Sequence, residues 1–347
     1  MSVFSQPEFD NHEQVVFCSD EETGLRAIIA VHNTNCGPGV GGCRFWNYAS
    51  DEEALVDVLR LSKGMTYKNA LAGLNFGGGK AVIIGDPKKL KSEALFRAFG
   101  RKLNNLNGTY YSAEDVNITT TDIMHAHKET DFVVGLEGKS GNPAPYTALG
   151  TYLGIKAAAK HKFGSDDLKG LKLSIQGLGS VGMYLCERLN QDGAELIVTD
   201  INQEAIDKAV NEFGAIAVGL DDIYSQDVDV YVPCALGATV NDDTLPQLKC
   251  KIVAGCANNQ LAEPRHGAEL KEKGILYAPD YAINAGGIIN IYFEQDEEGY
   301  CADKATAKVS EIYQTLLDIF ARADEEDRPT HEVADIMAQE IIARGGK

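Results

Sequence analysis

Two lysines stand in settings that a surface lysine does not need. Lys68 lies in Met65-Thr-Tyr-Lys68-Asn69, and Lys80, twelve residues on, follows three glycines in Gly77-Gly-Gly-Lys80. Neither segment is a Walker phosphate loop, because no Gly-Lys-Ser/Thr closes a GxxxxG spacing. Such a pair suits two tasks. One ammonium can hold a substrate carboxylate. The other, buried in an apolar setting, gives up its proton more easily and can act as a base. The glycines before Lys80 suggest that backbone or substrate passes close by. The plain alternative is an exposed glycine turn followed by a solvated lysine. Glu114 and Asp115 end a β-type run, Tyr110-Tyr-Ser-Ala-Glu-Asp. An acid there can shuttle protons, or it can simply cap a turn.

A third motif binds rather than reacts. Gly177-Leu-Gly179-Ser180-Val181-Gly182 is a GxGxxG that follows the β-type run LKLSIQ and opens a helical pattern. In that context the glycines provide a tight turn, close approach to a pyrophosphate and close helix–sheet packing. The helix opening at Ser180 and Val181 offers free N–H groups to phosphate. Asp200 comes eighteen residues after Gly182, at the end of ELIVTD. A carboxylate there accepts hydrogen bonds from ribose hydroxyls and repels a 2′-phosphate, which favours NAD over NADP. A bare strand–turn–helix with Asp200 capping the turn is the other reading.

The histidines offer little. His125 and His127 are two apart and diverge on a helix, and no Cys or His spacing suits zinc, so no metal is expected. No Ser-His-Asp constellation is evident. Trp46, Tyr110 and Tyr111 are expected in the core.

The elements that must position these residues follow from pattern. QVVFC and RAIIAV read as short strands. Ser50 and Glu53 have capping-box spacing, and Leu55, Val58, Leu59 and Ser62 share one face of a helix running to about Asn69. A Gly-rich loop then delivers Lys80 into the strand AVIIG. A helix of about 147–162 opens the second half. Six apolar runs follow, at 172–176, 195–199, 215–218, 228–233, 251–255 and 275–278, with helical patterns between most of them. This alternation predicts a doubly wound parallel sheet of Rossmann type, joined to an N-terminal α/β domain. The C-terminal stretch reads as two helices separated by DEED and Pro329.

Composition narrows the function class. The 347-residue chain carries 32 Lys plus Arg against 51 Asp plus Glu, a formal charge of −19. So acidic a surface disfavours nucleic acid and anionic membranes as partners. No apolar run reaches the roughly 18 residues of a membrane span. The N-terminus lacks a signal-peptide pattern, and the eight cysteines are scattered, so a cytoplasmic protein with reduced thiols is expected.

Taken together, these segments resemble the glutamate/leucine/phenylalanine/valine amino-acid dehydrogenases. The resemblance rests on GPGVGGCRFW (37–46), RLSKGMTYKNALAGLNFGGGKAVIIGDP (60–87), AEDV (113–116), SGNPAPYTALG (140–150), QGLGSVG (176–182), VTDIN (198–202), PCALGA (233–238), ANNQLAEPRHG (257–267) and APDYAINAGGIIN (278–290). It covers essentially the whole chain and is strongest to the members that act on branched aliphatic substrates. It implies NAD-dependent, reversible oxidative deamination of an L-amino acid to a 2-oxo acid and ammonia. It implies that Lys68 binds the α-carboxylate, that Lys80 activates the water attacking an imine, and that Asp115 moves protons at nitrogen.

The resemblance also implies that Thr147, Asn259 and Asn284 lie at the nicotinamide end and that Ala235 and Leu236 line the cofactor crevice. Asn259 would also meet the amino group. Val40, Gly41, Ala113, Ile288 and Ile291 would surround the substrate. The aliphatic set among these favours leucine, isoleucine and valine, while small residues at Gly39 and Val40 leave phenylalanine or tryptophan open. The implied site is a cleft between a domain of 1–135 joined by 326–347 and an NAD-binding domain of 136–325, in a homo-oligomer, an octamer by resemblance. A dinucleotide sensor without catalysis and a 2-hydroxy-acid dehydrogenase are the readings from other classes.

Overall fold

The computed structural model describes residues 2–136 and 138–345. The chain forms two compact units, one of residues 1–141, 291–300 and 338–347, the other of 142–290 and 301–337. The sequence-based division ran instead at 135/136 and 325/326. Residues 291–300 join the first unit through Glu294, a buried carboxylate that accepts hydrogen bonds from Gly135 N at 2.9 Å and from the Ser140 hydroxyl.

The first unit holds a five-stranded mixed sheet. Its strands are β1 (Gln14–Asp20), β2 (Leu25–Asn33), β3 (Gly39–Trp46), β4 (Gly77–Ile84) and β5 (Tyr110–Glu114), in the order β1-β2-β4-β3-β5. Alternation decides which face each side chain takes. Ala27, Ile29 and Val31 of β2, Cys43 and Phe45 of β3, and Ala81 and Ile83 of β4 enter one core with the helices Glu93–Asn104 and Thr120–His127. Ile28, Ala30 and Val82 face the other way, onto the helix Asp51–Leu71. Lys80 and Arg44 have the parity of this second face.

The helix Asp51–Leu71 starts where the pattern predicts. The Ser50 side chain accepts from Glu53 N, and three acids in the first turn suit the helix dipole.

The three glycines before Lys80 are not a loop. Strand β4 begins at Gly77, and each glycine is required by something already packed against it. A Cβ on Gly77 would sit 2.1 Å from Asn33 O, one on Gly78 2.0 Å from Thr66 Oγ1, and one on Gly79 2.4 Å from the Tyr110 ring. The close approach is that of neighbouring strands and of the helix that carries Lys68. Two further expectations are corrected. Trp46 is 47% exposed, and Tyr111 is half-buried, because β3 ends at Trp46 and β5 lies at the sheet edge; only Tyr110 is core. The C-terminal stretch holds three helices, Ala302–Ser310, Ile312–Glu325 and Thr330–Ala343, because the ladder slips at Glu311, whose N–H bonds Lys308 O three residues back.

The second unit is the predicted doubly wound sheet. Strands β6 (Lys172–Gln176), β7 (Glu195–Thr199), β8 (Ile216–Ala217), β9 (Val230–Pro233), β10 (Ile252–Val253) and β11 (Leu276–Tyr277) are all parallel, in the order β11-β10-β9-β6-β7-β8. The winding direction reverses between β6 and β9. In such sheets ligands bind in the crevice at the carboxyl ends of the strands at that reversal.

Candidate active site

Lys80 projects from the middle of β4 and is 6% exposed. Its Nζ donates to Asp115 Oδ2 at 2.5 Å. Asp115 directly follows β5 and is fixed from both sides. Upstream, Glu114 pairs with Cys43 in the β3–β5 ladder. Downstream, Phe45 N donates to Val116 O at 3.0 Å, and the side chain of Asn117, in a left-handed turn, donates to Phe45 O. Gly42 clears the space: a Cβ there would lie 2.8 Å from Asp115 Cβ. Burial pushes the Asp115 carboxyl up, but the Lys80 charge and hydrogen bond, together with Arg44, outweigh it and hold the group below its ordinary range. The carboxylate is therefore ionised above that lowered value and is lost only as pH falls through it.

Lys68 is half-buried in the last turn of the helix Asp51–Leu71. Its neighbour Asn69 ties that turn to the sheet, donating from Nδ2 to Gly77 O at 2.7 Å and to Val40 O at 3.4 Å. Asn69 was not among the sequence candidates; an amide in the apolar stripe of a helix, next to a singled-out lysine, is the signal that could have found it. Arg44 was missed as well. It is a charged residue inside an otherwise apolar strand, which implies a partner, and it has two: Asp57 Oδ2 at 2.9 Å and Asp115 Oδ2 at 3.6 Å.

In the neighbouring strands Val40 of β3 is fully buried and Ala113 of β5 is 4% exposed. Gly41 must lack a Cβ, which would fall 2.0 Å from Gly79 O. Ile291 is buried in the same unit, and Ile288 is half-buried in the second.

The second unit carries the GxGxxG turn at the strand-order reversal. Gly177 has φ +106°, and a Cβ there would meet Ala235 N at 2.8 Å; one on Gly182 would meet Gly177 O at 2.1 Å. Gly179 has open space where its Cβ would be, as a close ligand approach requires. The helix Ser180–Gln191 has no side-chain cap, so Ser180 and Val181 begin a first turn whose N–H groups are left for an anion. Asp200, just past β7, does more than either sequence reading foresaw. Its Oδ2 accepts from Leu178 N at 2.5 Å and its Oδ1 from Asn202 N at 2.7 Å. It shapes the Gly-rich turn, and each carboxylate oxygen keeps lone-pair capacity for a further donor.

Across the crevice Ala235 and Leu236 are exposed, Leu236 to 75%, an apolar residue set out at a site that needs apolar walls. Asn259 is exposed in a left-handed conformation, and its carbonyl accepts from Ala238 N at 2.7 Å. Asn284 donates from Nδ2 to Cys256 O and Asn258 Oδ1, while its buried Oδ1 has no hydrogen-bond partner. Thr147, in the first turn of the helix Ala144–Phe163, lies against Gly287, three residues beyond Asn284. A free helix N-terminus, an open glycine and an orphaned buried acceptor aimed at no protein donor fit a nicotinamide dinucleotide, whose pyrophosphate and carboxamide would complete them.

One His/carboxylate grouping among the described residues, Asp242, His266 and Glu269, is compact enough for a cation. Glu263 N donates to His266 Nδ1, so Nε2 carries the proton and faces Asp242 as a donor. Arg265 already bridges Asp242 and Glu269. Protons and the guanidinium satisfy this cluster. No helix among the described residues is long and apolar enough to cross a membrane.

The chain is similar to known proteins along nearly its whole length. Residues 12–135 match the family described as Glu/Leu/Phe/Val dehydrogenase, dimerisation domain, and residues 199–345 match Glutamate/Leucine/Phenylalanine/Valine dehydrogenase. The chain is 54% identical to a leucine dehydrogenase of Geobacillus stearothermophilus, over 99% of this chain and 94% of that one. It is 49% identical to a phenylalanine dehydrogenase of Bacillus thermotolerans, over 97% and 90%. Among solved structures, L-tryptophan dehydrogenase from Nostoc punctiforme superposes with a TM-score of 0.86 at 46% identity, over 96% of each chain. The chain belongs to the glutamate/leucine/phenylalanine/valine dehydrogenase family and is an amino-acid dehydrogenase.

Proposed function

We propose that this enzyme carries out the NAD-dependent, reversible oxidative deamination of branched-chain L-amino acids, leucine foremost. The observation that carries the reading is the pair of buried Lys80 and half-buried Asp115 in a unit whose singled-out pocket residues, Val40, Ala113 and Ile291, are all aliphatic. No acid or base among them greets a charged side chain, which argues against glutamate. One methylene in such a pocket is worth about 1–3 kcal/mol, so isoleucine and valine are substrates too. The higher identity to leucine than to phenylalanine dehydrogenases supports the same choice.

The residues act in sequence. Lys68 holds the α-carboxylate of the substrate. Bound NAD would supply a hydride acceptor for the substrate Cα, with Thr147, Asn259 and Asn284 at its nicotinamide end, the turn Gly177–Gly182 at its pyrophosphate and Asp200 at its ribose. Loss of that hydride leaves the substrate as an imine. Lys80 passes a proton to Asp115, then draws one from a water that adds to the imine carbon. Asp115 returns a proton to the nitrogen and takes the hydroxyl proton as the C–N bond breaks, so the carbinolamine collapses to the 2-oxo acid and ammonia. The enzyme works in the cytoplasm as a homo-oligomer, an octamer by family resemblance; the dimerisation domain named for the matched family supports assembly.

The test is initial-rate dinucleotide reduction with L-leucine, L-isoleucine, L-valine, L-phenylalanine, L-tryptophan and L-glutamate, each with NAD+ and NADP+. The highest kcat/KM is expected on the branched aliphatic substrates with NAD+. A preference for an aromatic substrate would show that Gly39 and Val40 open the pocket and would overturn the leucine assignment. Asp200→Ala is expected to raise the KM for NAD+ at least tenfold while changing that for NADP+ much less. Since Asp200 also holds Leu178 N, some loss with both is expected; equal loss with both would remove the ribose role.

A further inference from the structure

We propose that Arg44 is a positioning residue for this reaction, standing as the second partner of the Asp115 carboxylate and holding it in place and ionised until it takes the Lys80 proton. The inference rests on Lys80 and Asp115 being the reacting groups. Three observations support it. Arg44 Nε lies 3.6 Å from Asp115 Oδ2, the oxygen that takes Lys80 Nζ at 2.5 Å. That separation is too long for a hydrogen bond, and Arg44 Nε is buried without any hydrogen-bond partner. A buried unpaired donor is unfavourable, and a shift of well under 1 Å would give this one the carboxylate.

The guanidinium is also braced from behind. Its Nη1 donates to Asp57 Oδ2 at 2.9 Å, and the same oxygen accepts from the Tyr48 hydroxyl at 2.7 Å. Arg60 Nη2 lies 3.4 Å from the other oxygen of Asp57. Burial and the Asp57 contact push the Tyr48 phenol up, so Tyr48 stays a donor.

Among the described residues, the cations that act on Asp115 are Lys80 and Arg44. From β4 comes Lys80, from β3 come Arg44 and Cys43, and from β5 comes Tyr110. Burial pushes the Cys43 thiol and the Tyr110 phenol up, so both are neutral. When Lys80 lets go of Oδ2, Arg44 is the charge that remains. A nearby cation lowers a carboxyl pKa, so its removal raises it, and activity that needs the carboxylate is lost at a higher pH.

The experiment is the pH profile of kcat/KM for L-leucine in the full-length enzyme with NAD+. Arg44→Gln is expected to move the acid limb up by about one pH unit, which makes kcat/KM about tenfold lower than wild type on that limb. Arg44→Lys is expected to restore most of the shift. Should Arg44→Gln fail to fold because Asp57 is stranded, the double variant R44M/D57N removes both charges together and reads the same limb. An equal loss at every pH with an unmoved limb would mean a merely structural role and would overturn the proposal. Asp115→Asn separates the two levels of the argument. Retained activity in that variant would remove the reading beneath, whereas an inactive Asp115→Asn beside an unmoved limb in the Arg44 variants would remove Arg44 alone.

Discussion

Replacing Lys80 with alanine is expected to lower kcat for L-leucine by about 10³-fold, within the range general acid–base groups contribute. The side chain is buried in β4 and makes its short contact to Asp115, and on the proposed mechanism it is the amine that draws a proton from water. The GxGxxG turn, Asp200 and Asn284 belong to the other unit of the chain, so NADH binding should survive. The measurement pairs steady-state kcat with a fluorescence titration of NADH. A kcat within about tenfold of wild type would deny Lys80 its role. A collapse of NADH binding would show instead that the substitution disturbs more than chemistry, and a thermal melt would separate local loss from unfolding.

Asp115→Asn is expected to cost about 10²–10³ in kcat with a smaller change in KM. The swap is nearly isosteric. Asn keeps an oxygen that can accept from Lys80 Nζ, so the geometry set by Gly42, Val116 and Asn117 is retained. On the proposed mechanism, what it removes is the site that takes and returns a proton. A loss confined to KM would make Asp115 a binding group rather than a proton carrier. Retained burst formation of NADH in the first turnover, followed by slow steady state, would place its work after hydride transfer, where the nitrogen must be protonated to leave.

The sequence made much of this architecture legible, and the reasons are local. The six β-type runs of the second half became six parallel strands because each is short and apolar and helical patterns lie between most of them, which allows few other arrangements. The GxGxxG glycines could be assigned because their tasks depend on backbone alone. Three things were not legible. The glycines before Lys80 read as a loop because nothing in one segment reveals that Thr66 and Tyr110, distant in sequence, crowd a strand. Trp46 read as core because aromaticity says nothing about where a strand ends. Arg44 and Asn69 went unnoticed because their partners, Asp57 and Asp115 for one and the carbonyls of Gly77 and Val40 for the other, come together only when strands and helix meet. Asp200 was half legible: its place after β7 followed from spacing, but its grip on Leu178 N did not.

The most direct test of the central claim is product stoichiometry with the wild-type enzyme, L-leucine and NAD+. NADH is followed by absorbance, ammonia by a coupled assay and the 2-oxo acid by chromatography. The account predicts one NADH, one ammonia and one branched 2-oxo acid per leucine consumed, with the reverse reaction requiring ammonia. NADH formed from a 2-hydroxy acid without release of ammonia, or binding of NADH with no turnover of any amino acid, would contradict it.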